Sequence, residues 1–80
     1  MPLYFFFWTP DREDKLNQHG VDIVDFEDIV QNPARIEKSR SSERWIAFGY
    51  AADGGWTACV YELDDDQTTI FPITAYRPGE

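Results

Sequence analysis

RWIAFGYAADGGWTACVYEL, Arg44 to Leu63, is the stretch on which the fold turns. Two runs rich in aromatic and β-branched residues flank AADGG. Asp53-Gly54 is a hairpin signal, because glycine takes the positive φ that closes a tight loop between two strands. RWIAFGY (Arg44–Tyr50) and WTACVYEL (Trp56–Leu63) therefore read as an antiparallel pair. DDDQ is a second turn, and TTIFPITAY (Thr68–Tyr76) a third strand. Pro72 has no N–H to give to a ladder, so it marks an edge position or a bulge.

Upstream, ARIEKS reads as a weak strand and SRSSE as a loop. Before them lie two helical patterns. Thr9 is a good N-cap, Pro10 fits the first helical position, and Asp11, Glu13 and Asp14 suit the positive end of a helix dipole. The helix over 10–18 offers Leu16 and the stems of Arg12 and Lys15 as its apolar stripe, which makes it a surface helix. Gly20 follows as a left-handed C-cap. Asp22, with Asp25 three positions on, forms a capping box for a second helix over 23–31. Ile23, Phe26, Ile29 and Val30 share one face of it, and Asn32-Pro33 stops it. PLYFFFW, Pro2 to Trp8, reads as a strand covered on both faces, and the tail RPGE as a fraying end. The order implies one α+β domain over residues 1–80, with two N-terminal helices packed on one face of an antiparallel β-sheet. Its core should hold Phe26, Ile29, Val30, Ile46, Phe48, Val60, Ile70 and Ile73.

A chain of 80 residues is near the lower limit for a core without staples, and three Trp, six Phe and four Tyr compensate. Cys59 is the single cysteine, which suits a reducing, cytoplasmic setting and the role of a core thiol. The apolar opening lacks a basic n-region and is too short to span a bilayer, so neither a signal peptide nor a membrane segment is expected. Net charge is −8, but unevenly spread. Between Ala34 and Arg44 stand Arg35, Lys38, Arg40 and Arg44 against two glutamates; elsewhere 3 basic residues face 13 acidic ones. The acidic body disfavours charge-driven RNA binding and invites a basic protein, while the strip Arg35, Lys38, Arg40 and Arg44 is a candidate partner- or phosphate-binding surface.

An aromatic start, His19-Gly20-Val21 between two helices, the Asn32-Pro33 stop, the hairpin RWIAFGYAADGGWTACVYE and a closing ITAY together resemble the BrnT family of toxins. The resemblance runs from Phe7 to Tyr76. It implies a fold similar to RelE-type ribonuclease toxins, a metal-independent endoribonuclease activity, and an antitoxin-like protein partner. The chain also departs from the family's pattern. The helix before His19 is DREDKLNQ rather than basic, Asp64 stands where an arginine is common, and Phe71 and Tyr76 occupy the arginine positions of the last strand. These departures imply weakened or lost cleavage, and the alternative is a non-catalytic protein-binding or regulatory module on the same fold.

Metal-free RNA cleavage needs a base for the 2′-hydroxyl, an acid for the leaving oxygen and cations on the phosphate. Lys15, His19, Arg44 and Tyr76 are the candidates, with Tyr61, Glu62 and Arg77 beside them. Lys15 and His19 are four apart and share a helical face. His19 has a plainer reading, since a histidine at a helix C-terminus answers the dipole and the last carbonyls. One Cys and one His make no zinc pattern, DGG is a turn rather than a phosphate cradle, and no cofactor is expected. Partners expected are a basic antitoxin-like protein or a second copy of the chain, with RNA only weakly held.

Overall fold

The computed structural model describes residues 4–39 and 43–79. The elements run β1 (Phe5–Phe6), α1 (Pro10–Gln18), α2 (Ile23–Gln31), β2 (Arg35–Lys38), β3 (Arg44–Tyr50), β4 (Trp56–Leu63) and β5 (Thr69–Tyr76). The sheet has the order β1-β5-β4-β3-β2. β2 to β5 form an antiparallel meander, and both helices pack on one face of it. The molecule is α+β, as its element order implies.

The expectation of a purely antiparallel sheet is corrected at β1, which pairs with β5 in parallel, Phe5 beside Thr69 and Phe6 beside Ile70. The two helices carry the chain to the far edge of the sheet, and the meander then returns it to the first strand. β1 is also shorter than the aromatic run suggested, and Pro2 lies outside the described residues. It is an edge strand with one face uncovered. Phe6 sits over Phe26 in an edge-on ring contact, whereas Phe5 and Phe7 are exposed.

Local chemistry sets both helices. The Thr9 hydroxyl accepts the Arg12 N–H at 3.3 Å. At the other end of α1 the backbone forms a complete left-handed stop: the Val21 N–H donates to Leu16 O and the Gly20 N–H to Asn17 O, both at 3.0 Å. Gly20 has φ +73°. Leu16 and Val21, at the two ends of that motif, are buried in the core, the hydrophobic contact that accompanies such a stop. The capping box expected at α2 is not formed. Asp22 holds the N-cap position without a side-chain bond, and the Asp25 carboxylate instead accepts the Ala52 N–H of the β3–β4 hairpin at 3.1 Å.

Phe26, Ile29, Val30, Val60, Ile70 and Ile73 are buried as expected. Ile46 and Phe48 are not: they are half-buried, on the face away from the helices. The residues of β3 that meet α2 are Ala47 and Gly49, both buried. A Cβ added at Gly49 would lie 3.1 Å from Ile29 Cγ2, so α2 would have to give by a few tenths of an ångström to take one. Pro72 lies in a central strand at a bulge. The partners of β4 step from Thr74, opposite Val60, to Pro72, opposite Tyr61, leaving Ile73 unpaired. The missing proline N–H thus falls where the ladder is already broken. The Ile73 carbonyl accepts a bond from Arg12 Nη1 at 3.2 Å, which ties α1 to the bulge.

Two outcomes follow for stability. Phe26 is fully buried and carries ring contacts with Phe6 and Trp8, so Phe26→Ala should cost about 3–5 kcal/mol in chemical denaturation. An unchanged midpoint would mean that α2 does not pack as described. Gly20→Ala should cost about 1 kcal/mol or more, since a Cβ is strained at its φ. His19→Ala should cost about 0.5 kcal/mol or less, because exposed His19 takes part in the stop through its backbone N–H alone. Equal losses from the two would contradict this division of labour.

Candidate functional site

The candidate catalytic residues lie on both sides of the sheet. Lys15 is exposed on α1 and His19 at its C-cap, both within the helical layer. Arg44 and Tyr76 are on the opposite face. Arg44 opposes Glu62, whose neighbour on β5 is Phe71; Tyr76 opposes Ala58, whose neighbour on β3 is Phe48. Phe48 is four residues along β3 from Arg44, a separation of about 13 Å. Arg44 and Tyr76 therefore share a face and occupy different ends of it. Arg44 is also engaged, its Nε 3.6 Å from a Glu62 carboxylate oxygen.

The remaining candidates have structural employment. Tyr61 faces the helices and is buried, and burial pushes its hydroxyl up to about 12. Cys59 behaves likewise: it is fully buried and desolvation raises its thiol to about 12, which leaves it an unreactive core residue. Arg77, read in the sequence as part of a fraying tail, is a clamp. Its Nη1 and Nη2 each reach an Asp53 carboxylate oxygen at 3.1 Å, and Nη2 also donates to Gly20 O at 3.3 Å. Gly55 gives the guanidinium room, since a Cβ there would collide with it. The sequence carries one trace of this contact, the second glycine of AADGG, since within DGG the turn itself needs positive φ only at Gly54. His19 adjoins this clamp in sequence, so it shares one end of the molecule with Tyr76 and Arg77.

The basic strip does not form one surface. Arg35 lies 3.4 Å from Glu37, and Lys38 is 3.9 Å from Glu43 and over the Trp45 ring. Strand alternation sends Arg35 and Lys38 to opposite faces, since Arg35 opposes Phe48 and Lys38 opposes Trp45. Arg40 lies outside the described residues. Among the described residues there is no cavity, and no three His, Cys, Asp or Glu side chains are grouped to hold a metal. Asp66, in the acidic turn between β4 and β5, is used locally. Its carboxylate accepts the N–H groups of Thr68 and Thr69 at 2.8 and 2.9 Å and the Thr69 hydroxyl at 2.7 Å.

What the fold does segregate is charge and apolar surface. Residues 10–31, the helical layer, carry seven acidic and two basic side chains. The open face of the sheet carries Arg35, Glu37, Arg44 and Glu62, which cancel in two pairs. Between and beyond them it presents Ile46, Phe48, Tyr50, Trp56, Phe71 and Tyr76. No helix is long and apolar enough to cross a membrane among the described residues. No family model, curated protein or solved structure matches this chain.

The hydrogen bonds from Thr68 and Thr69 hold the Asp66 carboxyl down at about 2, against an ordinary 3.8. Asp53 is lowered too, first by its bond from Arg77 and then by the Gly55 N–H. A depressed carboxyl contributes stability above its unfolded value and loses it as pH falls through its folded one. Asp66 should therefore help fully above about pH 4 and lose its contribution by about pH 2. Asp66→Asn, which cannot titrate, should show a smaller fall in melting temperature over that window than the wild type. An identical fall in both proteins would assign the acid sensitivity elsewhere.

Proposed function

We propose that this chain is a BrnT-like protein of toxin–antitoxin type that works by binding a basic, antitoxin-like protein, with metal-independent ribonuclease activity weakened or lost. The observation that carries the reading is the helical layer, where seven acidic side chains stand against two basic ones. A field of one sign over one layer speeds the approach of a basic partner and repels RNA. The dispersion of Lys15 and His19 from Arg44 and Tyr76 supports the loss of cleavage. A phosphate held by Arg44 would lie beyond the reach of a base at His19, and the nearest arginine to that base, Arg77, is committed to Asp53 and Gly20.

Asp22 and Asp28 are exposed on α2 and form the obvious docking charges. A small basic protein encoded beside this chain should bind it, more weakly as salt rises, and Asp22→Lys with Asp28→Lys should weaken binding by about tenfold or more at low salt. Purified wild-type protein should leave RNA intact in the presence of a chelator. RNA cleavage by the wild type that His19→Ala reduces by ~10²-fold or more, without a shift in melting, would replace this reading with that of an active ribonuclease. Binding indifferent to the two aspartates would remove the acidic layer as its cause.

A further inference from the structure

We propose that the open face of the sheet is a self-association surface, through which two copies of this chain pair face to face. The observation is separate from the acidic layer. At the hairpin end of this face Phe48 stacks on Trp56, with centroids 5.9 Å apart and planes 13° apart, and Tyr50 meets the same indole edge-on at 4.9 Å. Tyr76 lies in the Phe48 row across Ala58. Tyr50 is 68% exposed and Tyr76 39%, so the cluster is apolar, ordered by its own ring contacts and wet. Contiguous exposed aromatics on a small domain mark an interaction surface.

Charge selects the occupant. Among the described residues the face is neutral in sum, its arginines each beside a glutamate, so it gives RNA no free row of cations and gives a basic protein no acidic field. A second copy fits both conditions. Two sheets packed face to face lie about 10 Å apart, which turns the two helical layers outward and leaves them roughly 30 Å from one another. At physiological salt that exceeds the Debye length of about 8 Å several times, so two acidic layers do not oppose the pairing. Any arrangement that brings helical layer to helical layer sets like charges in contact. The open face is thus the surface of this acidic molecule that a copy of itself can meet, and a two-fold axis makes the same apolar patch complementary to itself. Three strands of seven or eight residues, with the shorter β1 and β2 at the edges, give a flat footprint of roughly 500 Å², below the ~800 Å² per partner of a standard interface. The dimer is accordingly a dissociable one, with no requirement that the monomer unfold.

Sedimentation of the full chain from micromolar to near-millimolar concentration tests this. Wild type should shift from monomer to dimer mass, with little change between low and moderate salt. Tyr50→Asp and Tyr76→Asp, each at an exposed ring, should remain monomeric across the range while keeping the wild-type melting profile. Val24→Asp, at a 75% exposed apolar residue of the helical layer, should dimerise as the wild type does. A wild type that stays monomeric throughout overturns the proposal, as does a dimer lost in Val24→Asp and retained in both tyrosine variants. Neither result bears on the basic partner, which stands on the helical layer.

Discussion

The closeness of α2 to the sheet governs the rest of the molecule. Ile29 packs onto β3 where Gly49 has no side chain, and Ala47, Cys59 and Ala75 supply the other small contacts beneath the helices. A domain of this size cannot bury much area, so it gains most by bringing its helices down onto a shallow floor and filling the remaining space with Phe26, Leu16 and Ile70. The consequence appears on the reverse side. With Ala47 and Gly49 on the helical face, the alternate positions of β3, Ile46, Phe48 and Tyr50, lie on the reverse side beside Trp56, and among the described residues no layer covers them. The aromatic open face and the close helix are one feature of the sequence seen from two sides.

A second set of contacts locks the helical layer to the hairpin. Arg77 joins Asp53 to the Gly20 carbonyl, and Asp25 takes the Ala52 N–H. All but Asp25, in the first turn of α2, are loop or terminal groups, so the β3–β4 turn, the α1–α2 turn and the end of β5 are held as one corner. Exposed charge pairs stabilise little by themselves. Arg77 differs because its side chain is 16% exposed, sits close over Gly55, and is engaged in bonds to a carboxylate and a carbonyl together. Corner geometry, more than helix propensity, fixes where His19 and Tyr76 lie.

Features determined by near neighbours were readable in the sequence. Both helices, the Gly20 stop and the Asp53-Gly54 turn each depend on a few adjacent residues with a steric or hydrogen-bonding reason, while Pro72 marked either an edge or a bulge and the strand pairing decides for the bulge. The choice of sheet face was not readable. In RWIAFGY both alternating sets hold apolar residues, and the larger set, Ile46 with Phe48, looks like core until the helix is known to need a floor of small ones. The edge taken by β1 was equally hidden, since sequence order does not say which side of a meander the first strand joins. The candidate site inherits that uncertainty in full. Moving from one face to the other separates Arg44 and Tyr76 from Lys15 and His19, and residues that look convergent along the chain stand on opposite sides of the sheet. Asp25 shows the same limit on a smaller scale, because the spacing of a capping box is present while the carboxylate answers a distant amide.

The charges of α2 run against what its own stability asks for. Asp22 and Asp25 near its N-terminus suit the dipole, but Glu27 and Asp28 extend the acidic run, and the last turn holds no basic residue. Asp25 and Asp28 are three apart and repel. A lysine or arginine near Gln31 would relieve both faults at no steric cost, since that end of the helix is partly exposed. Glu27 is accounted for by its 2.7 Å bond from the Trp8 indole, and Asp25 by Ala52. Asp22 and Asp28 have no such partner among the described residues. A local rule broken without a structural return is the mark expected of a surface shaped for something outside the fold. The sheet face shows the reverse, with the charges of the described residues balanced and the apolar area left open. On the reading proposed above, one surface serves attraction that salt screens and the other apolar contact that salt leaves almost untouched, so the two would be occupied independently.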